Sequence, residues 1–313
     1  MTDLLAIGAT ALELTPPDDE RLETATELNV SVTGPASNAA IAASRLGTAS
    51  AWLSKLSDDA LGRRVVGELR RHGVKPAVCW GGGRQGLTFT ERATTAHDGG
   101  HIDDRAGAAV ASLTRDDLSS LDFQGAETLF TSAATLALSD TLAGTVEELF
   151  AAFAGRTALA LHRSRALDSS VGRERVESIL SATDVLLASE EGAAALGEDG
   201  SPPEAAHALA AAHDLDTVVL ADAGGSALVW RERTVHERDP PDAETVDERG
   251  ALDALCGGFL GRRIAGDGVD EALAAGVACG ALARTVQGSI PVVTPEEVDD
   301  CIAMMDGERS GRR

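Results

Sequence analysis

A chain of 313 residues, 43% of them hydrophobic, has the volume for a buried core and reads as globular rather than disordered. Its formal net charge of −23, with Lys55 and Lys75 as the only lysines, offers no basic surface to nucleic acid or to an anionic membrane. Cys79, Cys256, Cys279 and Cys301 are scattered, with no Cys-x-x-Cys pair and no histidine at zinc-ligand spacing, so free thiols are expected and no metal site.

In chain order, the run Leu4 to Gly8 reads as a first buried strand. Leu12 to Val32 has β-like alternation with polar and charged interruptions, and Gly81 to Asp104 repeats that character. Between them, Asn38 to Leu46 is a small-residue helix, Ala49 to Leu53 a strand, and Leu61 to His72 an amphipathic helix closed by Gly73. Gly81-Gly82-Gly83 reads as a turn, because no Gly-Lys-Ser/Thr follows to make a phosphate loop. Four-residue apolar strands then alternate with helical segments at Thr128 to Thr131, Ala158 to Leu161, Asp184 to Leu187 and Thr217 to Leu220. That rhythm implies an α/β fold, a parallel sheet covered on both faces, with ligands beyond the carboxyl ends of its strands. His162, alone after a buried strand, reads as a hydrogen-bonded core residue without a role. The polar tail after Gly307 is expected to fray. No apolar stretch approaches the ~20 residues of a membrane span and no signal peptide is evident, so a cytoplasmic protein is expected.

The segment Val246 to Leu255 carries the most chemistry. Gly250-Ala251 can turn the chain into a helix whose first N–H groups point outward, and such a terminus attracts anions. Asp253, near the same helix start, is placed to take a proton from a hydroxyl attacking a phosphate. Equally, an acid in a first turn can merely favour the helix, and these residues alone do not decide between the two.

Far upstream, Thr33-Gly34-Pro35-Ala36-Ser37-Asn38 and the residues to Gly47 precede Trp52 to Gly62. This stretch resembles the amino-terminal signature of the ribokinase-like (PfkB) carbohydrate kinases, and Asp247 to Asp253 resembles their carboxy-terminal Asp-Thr-x-Gly-Ala-Gly-Asp. The two occur in the family's order, and the likeness spans essentially the whole chain. Leu12 to Pro17, Asp104-Arg105-Ala106 and Thr131 to Leu138 look most like the 2-keto-3-deoxygluconate kinases. The resemblance implies one domain over residues 1–313, a three-layer ribokinase-like sandwich with a mostly parallel central sheet, and a small β-sheet lid from about 10–33 and 82–105. It implies an ATP-dependent sugar kinase, using Mg2+ and acting on a sugar or sugar acid, with a homodimer formed through the lid.

The likeness also implies roles. Asp253 matches the catalytic base, Gly250 and Ala251 the anion hole before it, and Asp247 the opening aspartate. Gly34 and Asn38 match positions that contact sugar hydroxyls, while Phe89 and Arg105 match the lid and wall around an acid sugar. Leu252 stands where the family has glycine, and would be strained by about 1–2 kcal/mol if that residue needed positive φ. The family's Asn-x-x-Glu, which organises magnesium, falls on Ser189-Glu190-Glu191-Gly192, leaving Glu190 and Glu191 as substitutes. Its Asp-x-Asn-x-Arg falls near Ala160 to Arg165 without its acid. Leu220 opens the stretch where the family favours Lys/Thr-x-Gly, and Gly225 survives beyond it. Asp103 replaces an expected tyrosine and would repel a substrate carboxylate from Arg105. Because these departures cluster at phosphate and metal, the alternative reading is an impaired family member that keeps small-molecule binding or a regulatory role. The acid excess, scarce lysine and low aromatic content (no Tyr, six Phe, three Trp) are similar to proteins of salt-rich cytoplasm.

Overall fold

The computed structural model describes residues 2–311 apart from 18–19, 93–98, 119–124, 163–166, 168 and 198–199, with backbone alone over 308–311. The chain begins in a buried strand, β1 (Leu4–Ile7), and leaves it at once for β2 (Ala11–Thr15) and β3 (Asn29–Thr33). Next comes α1 (Pro35–Arg45), which starts on a proline whose fixed φ suits a first helical turn. β4 (Ser50–Ser57) leads through α2 (Ala60–Arg71) to β5 (Lys75–Gly81). The Asp59 side chain caps α2 by accepting from the N–H groups of Leu61 and Gly62. β6 (Leu87–Glu91) and β7 (Gly100–Asp104) follow, then a 3-10 turn at Ala109–Ser112 and the single turn α3 (Arg115–Leu118).

From there strand and helix alternate as β8 (Thr128–Ser132), α4 (Ala133–Leu136), α5 (Asp140–Ala152), β9 (Arg156–Leu161) and α6 (Ser170–Leu180). The series continues through β10 (Val185–Ser189), α7 (Glu190–Ala194), α8 (Pro202–His213) and β11 (Thr217–Ala221). A hairpin of β12 (Ala227–Arg231) and β13 (Thr234–Arg238) precedes the closing helices α9 (Ala251–Ile264), α10 (Val269–Arg284) and α11 (Pro295–Gly311). α11 carries the backbone through Gly311, so the tail expected to fray after Gly307 is helical instead.

Nine strands form the main sheet in the order β13-β12-β11-β10-β9-β8-β1-β4-β5. All neighbours run parallel except β11–β12 and β12–β13. Strand alternation splits the core in two. Leu4, Ala6, Trp52, Phe130 and Leu187 pack on one face with α1, α9 and α10. Leu5, Ile7, Leu53, Leu129 and Leu186 pack on the other with α5, α6 and α8. After β1 the chain builds β4 and β5 on one side and β8 onward on the other, so the strand order reverses there, where ligands of open α/β sheets bind.

A second sheet of four strands, β3-β2-β6-β7, stands apart. Its register puts Leu12, Leu14, Val30, Phe89 and Ile102 on one face, and Glu13, Ser31, Thr88, Thr90 and Asp103 on the other.

Candidate active site

The start of α9 is built around Gly250, which sits at φ 76°, in the left-handed region. A Cβ there would fall 2.1 Å from the carbonyl oxygen of Ser289, so only glycine fits the turn. The Ala251 N–H turns back to the Glu248 carbonyl at 3.3 Å. Among the described residues the N–H groups of Gly250, Leu252 and Asp253 find no acceptor, and they leave the start of the helix open, an arrangement that attracts anions in general. The donor expected at Ala251 is thus displaced to the next two residues. Leu252 lies inside the helix, is absent from the positive-φ residues, and packs half-buried against the core. The strain considered for it does not arise, because the left-handed step is taken at Gly250.

Asp253 is buried, yet its carboxylate has chosen partners. Asn38, one turn into α1, donates from Nδ2 to Asp253 Oδ2 at 2.9 Å. The two helices can meet this closely because Gly257, one turn past Asp253, lies against Ala39, where a Cβ would fall 2.2 Å from the carbonyl oxygen. The other carboxylate oxygen, Oδ1, lies 2.8 Å from His162 Nε2, off the line of an ideal hydrogen bond. His162 stands one residue past the carboxyl end of β9, the edge at which ligands are expected. Its position at that edge was the one signal for it in the sequence; expected as a core residue, its side chain is instead 27% exposed and lies beside Asp253. Among the described residues, Asn38 Oδ1, His162 Nδ1 and Asp253 Oδ1 are buried without a hydrogen-bond partner. Burial, and the Asp253 carboxylate one turn away, push the Cys256 thiol well above its ordinary range, so it stays protonated.

Asp247 does not reach out to solvent. Burial alone would raise its carboxyl, but the Arg249 side chain and the N–H groups of Gly288 and Arg249 hold it below the usual carboxylate range. Arg249 spans from Asp247 Oδ2 to Glu13 Oε1, each 2.5 Å away, and so ties the α9 turn to β2 of the small sheet. Glu13, itself buried, also accepts from Ser31 and Thr90. Neither Arg249 nor Glu13 was singled out from the sequence, since each is an ordinary charged residue until the fold pairs positions 236 residues apart.

The remaining candidates are dispersed along the strand ends. Gly34 is the N-cap residue of α1, against the Ala9 carbonyl, and Ser37 beside it bonds to Thr10. Thr10 in turn accepts, at its carbonyl, from Gln85 Nε2, and Thr10, Gln85 and Arg105 line one small cavity. Arg105 is engaged by Asp103, its Nε donating to Oδ1 at 2.6 Å and its Nη2 meeting Oδ2. Asp103 therefore neutralises Arg105 before any carboxylate arrives. Phe89 falls on the face of the small sheet opposite Glu13, which is the side that Arg249 reaches. Ser189 caps α7 by accepting from the Gly192 N–H, and Glu190 and Glu191 are exposed in that first turn. Leu220 is buried in the core at the end of β11, so only its backbone can face a ligand, while Gly225 turns the chain between β11 and β12. Arg163 and Arg165 lie outside the described residues. No group of three or more His, Cys, Asp or Glu side chains among the described residues would hold a metal ion. A magnesium ion suits such a place only in company with phosphates and water, its usual mode.

An open helix start and a buried carboxylate at a switch point of a parallel sheet are the parts of a phosphotransferase. The sequence pattern of the pfkB family carbohydrate kinases matches residues 1–296, and the chain belongs to that family. It is 44% identical over 303 residues to a 2-dehydro-3-deoxygalactonokinase of Haloferax volcanii, covering 95% of each chain. A 2-dehydro-3-deoxygluconokinase of Thermoproteus tenax is 26% identical over 308 residues, 96% of this chain and 94% of that one. The fold is shared with the crystal structure of 2-dehydro-3-deoxygluconokinase from Thermotoga maritima, at a TM-score of 0.90 and 22% identity, over 97% of this chain and 100% of the other. An E. coli protein solved in complex with ATP and Mg2+ superposes at a TM-score of 0.87 with 20% identity, over 97% and 99%. PfkB kinases use ATP, and this chain is a sugar kinase by family.

Proposed function

We propose that the chain is an ATP-dependent kinase of a 2-keto-3-deoxy sugar acid, with Asp253 as base. The observation that carries this is the convergence at α9 of free N–H donors, a buried carboxylate, and the unpartnered acceptor Asn38 Oδ1 beside it. A buried polar atom without a partner costs about 1–3 kcal/mol, so this unpaired acceptor marks a place for ligand hydroxyl groups to donate. The likeness to the two keto-deoxy sugar kinases supports the acceptor class.

When bound, ATP with magnesium supplies the phosphoryl group. Asp253 would take the proton of the acceptor hydroxyl as that oxygen bonds to the γ-phosphorus and the bond from that phosphorus to the bridging oxygen breaks, so that ADP leaves with the electron pair and Asp253 becomes a carboxylic acid. The free N–H groups of Gly250, Leu252 and Asp253 hold the negative charge that develops, aided by the positive end of the α9 dipole. Most of the rate in such chemistry comes from positioning and electrostatics. Glu190 and Glu191 are the acids available near Ser189 to orient water around the metal. We read the small sheet as the lid, with Arg105 as the cation that a substrate carboxylate would bind in competition with Asp103. Val30 and Ile102, 38% and 56% exposed on its apolar face, support pairing of two lids in a homodimer. A cytoplasmic, salt-adapted protein fits the four free thiols and the net charge of −23. An impaired, purely binding role is not favoured, since the base and its open helix start survive together.

The test is phosphate transfer from MgATP, in molar KCl, to 2-keto-3-deoxygluconate, 2-keto-3-deoxygalactonate, gluconate, glucose, fructose and ribose. The keto-deoxy acids should exceed the neutral sugars in kcat/KM by roughly tenfold or more. Transfer to none of them, or preference for a neutral sugar, would overturn the assignment.

A further inference from the structure

We infer that His162 is a positioning residue for Asp253, clamping the carboxylate together with Asn38 so that one lone pair of the base faces the acceptor hydroxyl. The inference rests on Asp253 being the base. Its geometry is a carboxylate flanked at both oxygens: Asn38 Nδ2 donates to Oδ2 at 2.9 Å, and His162 Nε2 lies 2.8 Å from Oδ1 without an aligned hydrogen bond. Two contacts, one from α1 and one from the end of β9, oppose rotation of the carboxylate about its own axis. A base free to rotate spends part of its time with the wrong lone pair toward the substrate, and misplacement by about 1 Å can cost about 10²-fold in rate.

The hydrogen of the imidazole belongs on Nε2. Among the described residues Nδ1 is buried with no acceptor, so a hydrogen there would be an unsatisfied donor. A bare Nε2 would also set its lone pair against that of the carboxylate oxygen. With the hydrogen on Nε2 the ring presents a donor to Oδ1, and Nδ1 keeps an open lone pair. In this arrangement His162 offers no vacant site on Nε2 to take the proton onward from Asp253. It steers the base and is not a relay. The present contact is off-line, as catalytic hydrogen bonds often are without substrate, and it is expected to straighten when the acceptor binds. The ring side chain is 27% exposed, so it is not sealed in the core.

The experiment measures kcat and KM for MgATP and for 2-keto-3-deoxygluconate in wild type, His162→Ala, His162→Gln, Asp253→Asn and the double variant His162→Ala/Asp253→Asn. His162→Ala should lower kcat by up to about 10²-fold with the KM for ATP and the melting temperature unchanged. His162→Gln, whose amide still donates, should recover most of that loss. In the Asp253→Asn background, removing His162 should cost nothing further, because the two act as a unit. If His162→Ala fails to fold, His162→Phe replaces it, filling the space without a donor. Wild-type kcat in His162→Ala, or a Gln variant as slow as Ala, would overturn the positioning role. An Asp253→Asn enzyme that turns over like wild type would instead remove the base itself, whatever His162 does.

Discussion

Gly250 concentrates several demands in one residue. It takes a left-handed step, passes within reach of the Ser289 carbonyl, and sets the direction of the N–H groups that follow. Gly250→Ala meets both a left-handed penalty of about 1–2 kcal/mol and a clash at 2.1 Å that the backbone of Ser289 must relieve. The variant should lose more than about 2 kcal/mol in denaturant unfolding and bind ATP more weakly; a variant as stable as wild type would contradict the account of the turn. Arg105 illustrates the opposite case, a residue whose identity was legible and whose state was not. Adjacency of Asp103 suggested repulsion of a substrate carboxylate, but the two side chains instead form a partly exposed, two-pronged pair. Replacing Asp103 by Asn should free the guanidinium and lower the KM for a sugar acid by roughly two- to fivefold, the scale of an exposed ion pair, with little change for a neutral sugar. A higher KM for the acid would show that Asp103 helps to hold Arg105 in place.

At the scale of elements, the strands and the α9 start were readable because short apolar runs and a Gly-Ala turn are local signals. The cross-links between elements were not. Asp253 and Asn38 were each recognisable from a signature, but not their direct contact across 215 residues, and His162, 91 residues from Asp253 at the end of β9, belongs to neither signature. The tie from Asp247 through Arg249 to Glu13 is another such link, joining the α9 turn to the small sheet. It has a pH signature. The folded Asp247 carboxyl is held below its unfolded value, about 3.9, so its contribution to stability is complete above that pH and is lost as pH falls through the lower folded value. The stability gap between wild type and Asp247→Asn, followed by denaturant unfolding, should therefore narrow as pH drops from about 5 toward 2. A gap that stays constant would mean that Asp247 is not ionised in the folded state.

Over the whole molecule, fold class and family were legible from alternation and two signatures, and the nine-stranded sheet with a separate four-stranded sheet matches that expectation. Net charge acts at this scale too. With −23 spread over 313 residues, self-repulsion is screened when the Debye length is about 3 Å near 1 M salt, and unscreened at about 30 Å near 10 mM. The melting temperature should fall by roughly 10 °C between those conditions, the effect of a few kcal/mol in a domain of this size. An unchanged melting curve would separate the charge from any adaptation to salt. The most direct test of the central claim is a comparison of Asp253→Asn with wild type, measuring single-turnover phosphoryl transfer to 2-keto-3-deoxygluconate alongside ATP affinity. Removal of the base should slow transfer by about 10²–10⁴-fold while ATP binds as before; transfer at the wild-type rate would contradict the account.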